Sequence, residues 1–119
     1  MRVPSRRLSC ALVLAWTMAC GGAEMKTLDV KVQTNDSELR VTNTGTTEAV
    51  GREFIIYING TPPNAYRTHG TLPEVGGHVD LPLREFVTKN GDRFNPVAQA
   101  VTVVWIGGYG YDYRSFKLQ

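Results

Sequence analysis

The sequence predicts an all-β protein, a single antiparallel β-sandwich of six or seven short strands following an N-terminal export segment. Three observations carry this. Apolar and polar residues alternate with period two in several short runs, and clusters rich in Gly, Asn, Asp and Pro interrupt those runs every eight to twelve residues or so. No stretch after the first twenty residues sustains a helical period beyond one turn. The chain has 119 residues, 42% of them hydrophobic, and 2 Cys. Those figures exclude a multidomain enzyme, an acidic disordered chain and a disulfide-stapled mini-protein.

The chain opens on Arg2, Arg6 and Arg7, which run into the apolar Leu8, Ala11, Leu12, Val13, Leu14, Ala15 and Trp16. A basic start and an apolar stretch of about ten residues form an export signal, since a membrane-spanning helix needs roughly 20. Next comes Trp16-Thr17-Met18-Ala19-Cys20-Gly21, which resembles the lipobox of bacterial lipoproteins: small or apolar residues, then Ala, then the Cys that becomes the first mature residue. Thr17 stands where that family most often has Leu. The resemblance implies a signal peptide over 1–19, a lipidated tether over 20–26 and a membrane anchor through lipid on Cys20. Each buried CH₂ of the acyl chains adds about 0.8 kcal/mol of membrane affinity, so several chains together hold firmly. Gly21, rather than Asp, after the cysteine implies the outer membrane of the cell envelope, facing the periplasm. The alternative is an ordinary signal cut after Ala19 or Ala23, which would leave a secreted or soluble periplasmic protein.

The formal charge of +2 belongs to those first arginines. From Cys20 onward ten basic residues stand against eleven acidic ones, and they are interspersed, as in Lys26/Asp29, Arg84/Glu85 and Asp92/Arg93. A nucleic-acid binder needs a clustered basic patch, so no nucleic-acid partner is expected. Cys10 leaves with the signal, and the domain over 27–119 then has no thiol for a disulfide. It must be held by its core, and a domain of this size buries a little over roughly 60% of the surface its unfolded chain exposes.

Thr27 to Gln33 alternates, with Leu28, Val30 and Val32 on one face. After the turn cluster Thr34-Asn35-Asp36-Ser37, Glu38 to Asn43 alternates again, which predicts a first hairpin. Phe54-Ile55-Ile56-Tyr57-Ile58 is β-branched and aromatic on both faces and ends at Asn59-Gly60, so it is a central strand. Thr61 to Gly77, with Pro62, Pro63 and Pro73, is the longest irregular segment, with room for a short strand near Tyr66 to Thr68. Val79, Leu81 and Leu83 alternate with Asp80 and Pro82, and a proline there confines the strand to a sheet edge. One helical turn fits at Leu83 to Val87. Lys89-Asn90-Gly91-Asp92 is a turn, Ala100 to Ile106 a buried strand that takes Trp105 into the core, and Tyr113 to Leu118 the closing strand.

Leu39-Arg40-Val41-Thr42-Asn43-Thr44-Gly45, followed by Phe54 to Gly60, is similar to the opening strands of immunoglobulin-like modules on bacterial surface proteins, where V-x-N-T-G precedes a strand ending in N-G. Leu81 to Phe86, with Asn90-Gly91-Asp92-Arg93-Phe94-Asn95-Pro96, looks like a pattern in small bacterial envelope proteins. The chain lacks the Cys…Trp…Cys framework of true immunoglobulin domains. The resemblance implies an immunoglobulin-like sandwich, and a fold does not give a function.

The residues offer little chemistry. His69 and His78 are nine apart, whereas tight zinc motifs place two ligands within about five residues, so no metal site is expected. Mature serines are Ser37 and Ser115, neither in a Gly-x-Ser-x-Gly elbow, and no catalytic residues are assigned. Asn90-Gly91-Asp92 lacks the further oxygen ligands of a calcium loop. Gly107 to Tyr111 has no helix after it to hold a phosphate, and no cofactor is expected.

The tyrosines remain. Tyr109, Tyr111 and Tyr113 recur at every second position near the last hairpin, beside Asp112 and Arg114. Exposed loop aromatics bind proteins through rigid amphipathic area or sugars through stacking; the plain alternative has Tyr111 and Tyr113 folding back as a lid on the core. The expectation is therefore a non-catalytic, lipid-anchored interaction module docking an envelope protein partner. The alternative is a glycan-binding module using the same five residues. Coplanar exposed rings would mark the glycan site; a wider apolar patch or an open strand edge would mark the docking surface.

Overall fold

A computed structural model of the protein describes residues 26–108 and 110–118. The expected signal peptide, Cys20 and Tyr109 lie outside the described residues. Seven strands form: β1 (Val30–Thr34), β2 (Glu38–Asn43), β3 (Glu53–Ile58), β4 (Tyr66–Thr71), β5 (His78–Pro82), β6 (Val103–Gly108) and β7 (Tyr111–Lys117). A single 3₁₀ turn, Leu83–Glu85, follows β5 where one helical turn was expected.

The strands make two antiparallel sheets, ordered β1-β2-β5 and β4-β3-β6-β7. β3 is central, between β4 and β6, as its apolar run requires. β5, with Pro82 at its end, is an edge strand of the smaller sheet. The chain passes β1 to β2 in one sheet, β3 to β4 in the other, returns for β5 and crosses again for β6 and β7. That is the connectivity of a seven-stranded antiparallel β-sandwich.

The period-two pattern sets which residues meet between the sheets. Leu28, Val30, Val32, Leu39, Val41 and Leu81 come from one side and Phe54, Ile56, Ile58, Val104 and Ile106 from the other. Phe86 and Phe94, in the long connection before β6, are fully buried and extend this core. Val87 exchanges two backbone hydrogen bonds with Arg67, so this connection also covers part of the β4 edge.

Several expectations need adjustment. The strand anticipated over Ala100 to Ile106 runs from Val103 to Gly108, and the closing strand begins at Tyr111, two residues before the anticipated Tyr113. β4 runs to six residues, longer than the short strand anticipated near Tyr66 to Thr68. Trp105 is not in the core: it pairs with Tyr57 and Ser115 on the outer face of the larger sheet, half-buried. Val103 to Ile106 is apolar at every position, so alternation alone cannot phase it; Val104 and Ile106, opposite Ile58 and Ile56, take the inward places.

A candidate binding face on the larger sheet

Cross-strand register decides which side chains share the outer face of the four-stranded sheet. Ile55 lies opposite His69 and Gly107, Tyr57 opposite Arg67 and Trp105, and Trp105 opposite Ser115. Tyr113 joins them because Gly107 gives it room. A Cβ at Gly107 would stand 2.8 Å from Cδ1 of Tyr113 and 3.1 Å from Cε1 and Cγ, so the phenol ring lies over the bare backbone of β6. There it meets the Tyr57 ring edge-on, with centroids 5.6 Å apart and planes at 71°. Such aromatic pairs contribute about 0.5–1.5 kcal/mol beyond the area they bury. Tyr113 remains 40% exposed, whereas Tyr57 is 6% exposed. Burial first, and the neighbouring Tyr57 phenol second, raise the Tyr113 pKa above the usual tyrosine value, so its phenol is uncharged at physiological pH.

Two hollows flank this stripe and share Glu53 and Ile55. The first, of about 520 Å³, is walled by Arg52, Gly108, Tyr111 and Tyr113. The second, of about 420 Å³, is lined by Arg67, Thr68, His69, Glu85 and Val87. His69 Nδ1 lies 2.7 Å from Glu53 Oε2 on the ridge between them. The surface is thus an apolar and aromatic centre, Ile55, Tyr57, Trp105 and Tyr113, with a rim carrying both charge signs.

The outer face of the smaller sheet differs. Lys31, Gln33, Arg40, Thr42, His78 and Asp80 occupy it, and Arg40 grips Asp80 through Nε at 2.8 Å and a second nitrogen at 3.2 Å. One face is polar and self-paired, the other apolar-centred.

Of the sequence-predicted site residues, Tyr111 and Tyr113 wall the same hollow, whereas Asp112 and Arg114 make their contacts elsewhere. Tyr111 is half-buried, packs against the core and donates its hydroxyl to Glu48 Oε1 at 3.1 Å. Burial, then the Glu48 hydrogen bond, raise its pKa. Asp112 is exposed, and its backbone N–H donates to the Lys26 carbonyl at 2.7 Å. Arg114 points off the other side of β7, its guanidinium carbon 4.9 Å from the centre of the Phe116 ring and Nη1 3.4 Å from the Leu28 carbonyl. The β6–β7 register is irregular between Ile106 and Gly108; beyond it Tyr111 packs against the core and still meets Tyr113 at the wall of the first hollow. Of the two, Tyr113 is the one seated over Gly107 beside Tyr57. Sequence reasoning missed Ile55, Tyr57 and Trp105 as its companions, although the two-sided apolar run of Phe54 to Ile58 was the available signal.

Among the described residues no group of three or more His, Cys, Asp or Glu is placed to hold a metal ion. His69 and His78 stand on different sheets. No described helix is long and apolar enough to cross a membrane. Compared with protein-family models, with characterised proteins and with solved structures, the chain matches none.

Proposed function

We propose that this protein is a non-catalytic interaction module of the bacterial cell envelope, lipid-anchored through Cys20, which docks a protein partner on the outer face of its four-stranded sheet. The supporting observation is the apolar centre formed by the half-buried Ile55 and Trp105 and the exposed Tyr113 over Tyr57, set within a mixed-charge rim. Interfaces concentrate aromatic side chains at a desolvated centre and leave polar groups at the edge. The two tyrosine rings are not coplanar, which disfavours a double stacking platform for sugar. A single platform, Tyr113 beside Arg52 and Glu53 in the 520 Å³ hollow, keeps a glycan as the second reading.

One experiment separates them. The mature chain and its Ile55→Ser/Tyr113→Ala variant are immobilised, exposed to solubilised native envelope, and the retained proteins and glycans are identified. Docking predicts a discrete protein held by the parent and reduced at least tenfold by the variant, whose circular dichroism stays β-rich. Glycan retention without protein would shift the function to the second reading, and equal retention by parent and variant would remove this face from both.

A further inference from the structure

The two ends of the sandwich are built differently. Pairing of Phe54 with Gly108 and Glu53 with Thr71 brings the β2–β3, β4–β5 and β6–β7 connections to one end. Lys26 is there too, since its carbonyl accepts the Asp112 N–H and Thr27 bridges Asp112 in parallel. The opposite end carries the β1–β2 turn at Asn35 and, beside it, Pro96 and Gln99.

At the Lys26 end two connections present valine. Val50 is 37% and Val75 49% exposed, and each is followed directly by a glycine in the left-handed region, Gly51 at φ +83° and Gly76 at φ +91°. A residue with a side chain is strained there, so glycine makes the reversal that leaves the valine at the tip. Gly110, at φ +75°, turns the third connection. The remaining positive-φ glycine, Gly91, follows a polar residue, Asn90.

These tips are held rigidly. The buried Asn43 side chain donates to the Thr46 and Pro73 carbonyls at 2.7 and 2.8 Å and accepts from the Gly45 and Thr46 N–H groups, tying the Val50 connection to the Val75 connection. Its backbone bonds Gly76 and Gly77. The Thr46 hydroxyl accepts the Asp29 N–H at 2.7 Å, which fixes the incoming chain to the same unit. Lys26 and Glu48 pair at 3.4 Å at this end, where Asp29 and Asp112 are also exposed, so attraction to anionic headgroups does not drive the approach.

Cys20 stands six positions before Lys26. Fully extended, that length reaches about 20 Å at most. We infer that this end of the domain rests on the bilayer that receives the Cys20 acyl chains, with Val50 and Val75 at headgroup depth; the inference rests on the lipid-anchor reading. Strands running from this end to the other then stand upright on the membrane, and the Ile55–Tyr113 face looks sideways, toward partners in the same leaflet. Two valines bury too little apolar area to bind alone, and the tether supplies the effective concentration.

The test uses the mature chain from Cys20, whose single thiol is coupled to a maleimide-headgroup lipid in phosphatidylethanolamine/phosphatidylglycerol nanodiscs carrying a gadolinium-chelate lipid. Amide relaxation is read residue by residue. Val50, Val75 and Gly76 are expected to relax severalfold faster than Asn35 and Val97, the last being a control because it is 83% exposed yet lies away from the tether. A Val50→Ser/Val75→Ser variant with an otherwise unchanged spectrum keeps the part of that bias the tether imposes and is expected to lose the severalfold excess. Equal relaxation at both ends, faster relaxation at Asn35 and Val97, or a bias of undiminished size in the variant would each overturn the inference. Because the coupling supplies the anchor chemically, these outcomes are independent of natural lipidation. That is read separately, from the mass of the N-terminal peptide isolated from cells, where an unmodified Cys20 would defeat the anchor reading.

Discussion

Asn43 commits its side-chain amide and carbonyl to backbone groups of two different connections, and it does so with no exposed surface. Removing it strands several buried donors and acceptors at once, each costing about 1–3 kcal/mol when left unpaired. Asn43→Ala is therefore expected to lower unfolding free energy by about 3 kcal/mol in urea titrations with an unchanged denaturant slope; a loss below about 1 kcal/mol would mean the connections hold without it. The sequence displayed this residue in a recognisable Val41 to Gly45 run, but not its partners, because Pro73 is thirty positions away. The same limit governs Tyr113. Its period-two spacing from Tyr111 was visible, whereas its seat over Gly107 depends on how β7 pairs with β6. Trp105 went to the wrong face for a related reason: an apolar run carries no phase of its own.

Strand by strand, the pattern was most readable where alternation was clean. β1, β2 and β5 each hide one face, and their apolar positions Val30, Val32, Leu39, Val41 and Leu81 are the buried ones. β4 was underestimated because Tyr66 to Thr71 contains Gly70 and little apolar character; it is made a strand by pairing along the whole of β3. On the polar face, β2 and β5 are joined by Arg40 and Asp80. The Arg40 hydrogen bond, opposed by partial burial and aided by its charge, holds the Asp80 carboxyl below the usual aspartate range. A depressed carboxylate contributes stability that is complete above the ordinary aspartate pKa of about 4 and is lost as pH falls through the lower, folded-state value. Melting curves of the parent and of Asp80→Asn should thus differ slightly at pH 7 and converge toward pH 2, with the pH 7 gap narrowing in high salt because the pair is exposed to solvent. A gap that persists unchanged in acid would mean Asp80 acts through packing instead of charge.

For the molecule as a whole, composition and turn spacing were enough to give a single β-sandwich, and the strand order and the contrast between its two outer faces emerged only from the register. One sheet closes its outer surface with an internal ion pair; the other presents Ile55, Trp105 and Tyr113 around a buried Tyr57, with hollows on either side. Of the residues anticipated at the last hairpin, Tyr111 packs on the core and Tyr113 on the sheet face while both wall one hollow, and Asp112 binds the incoming chain. The most direct test of the binding-face account is in-cell photo-crosslinking with a photoreactive residue placed at 55, 105 or 113, and at 31, 33 or 42 on the opposite face. The account predicts one common protein adduct from the first three positions and none from the second three; an adduct of equal yield from the Lys31, Gln33 and Thr42 positions, or adducts from those positions alone, would contradict it.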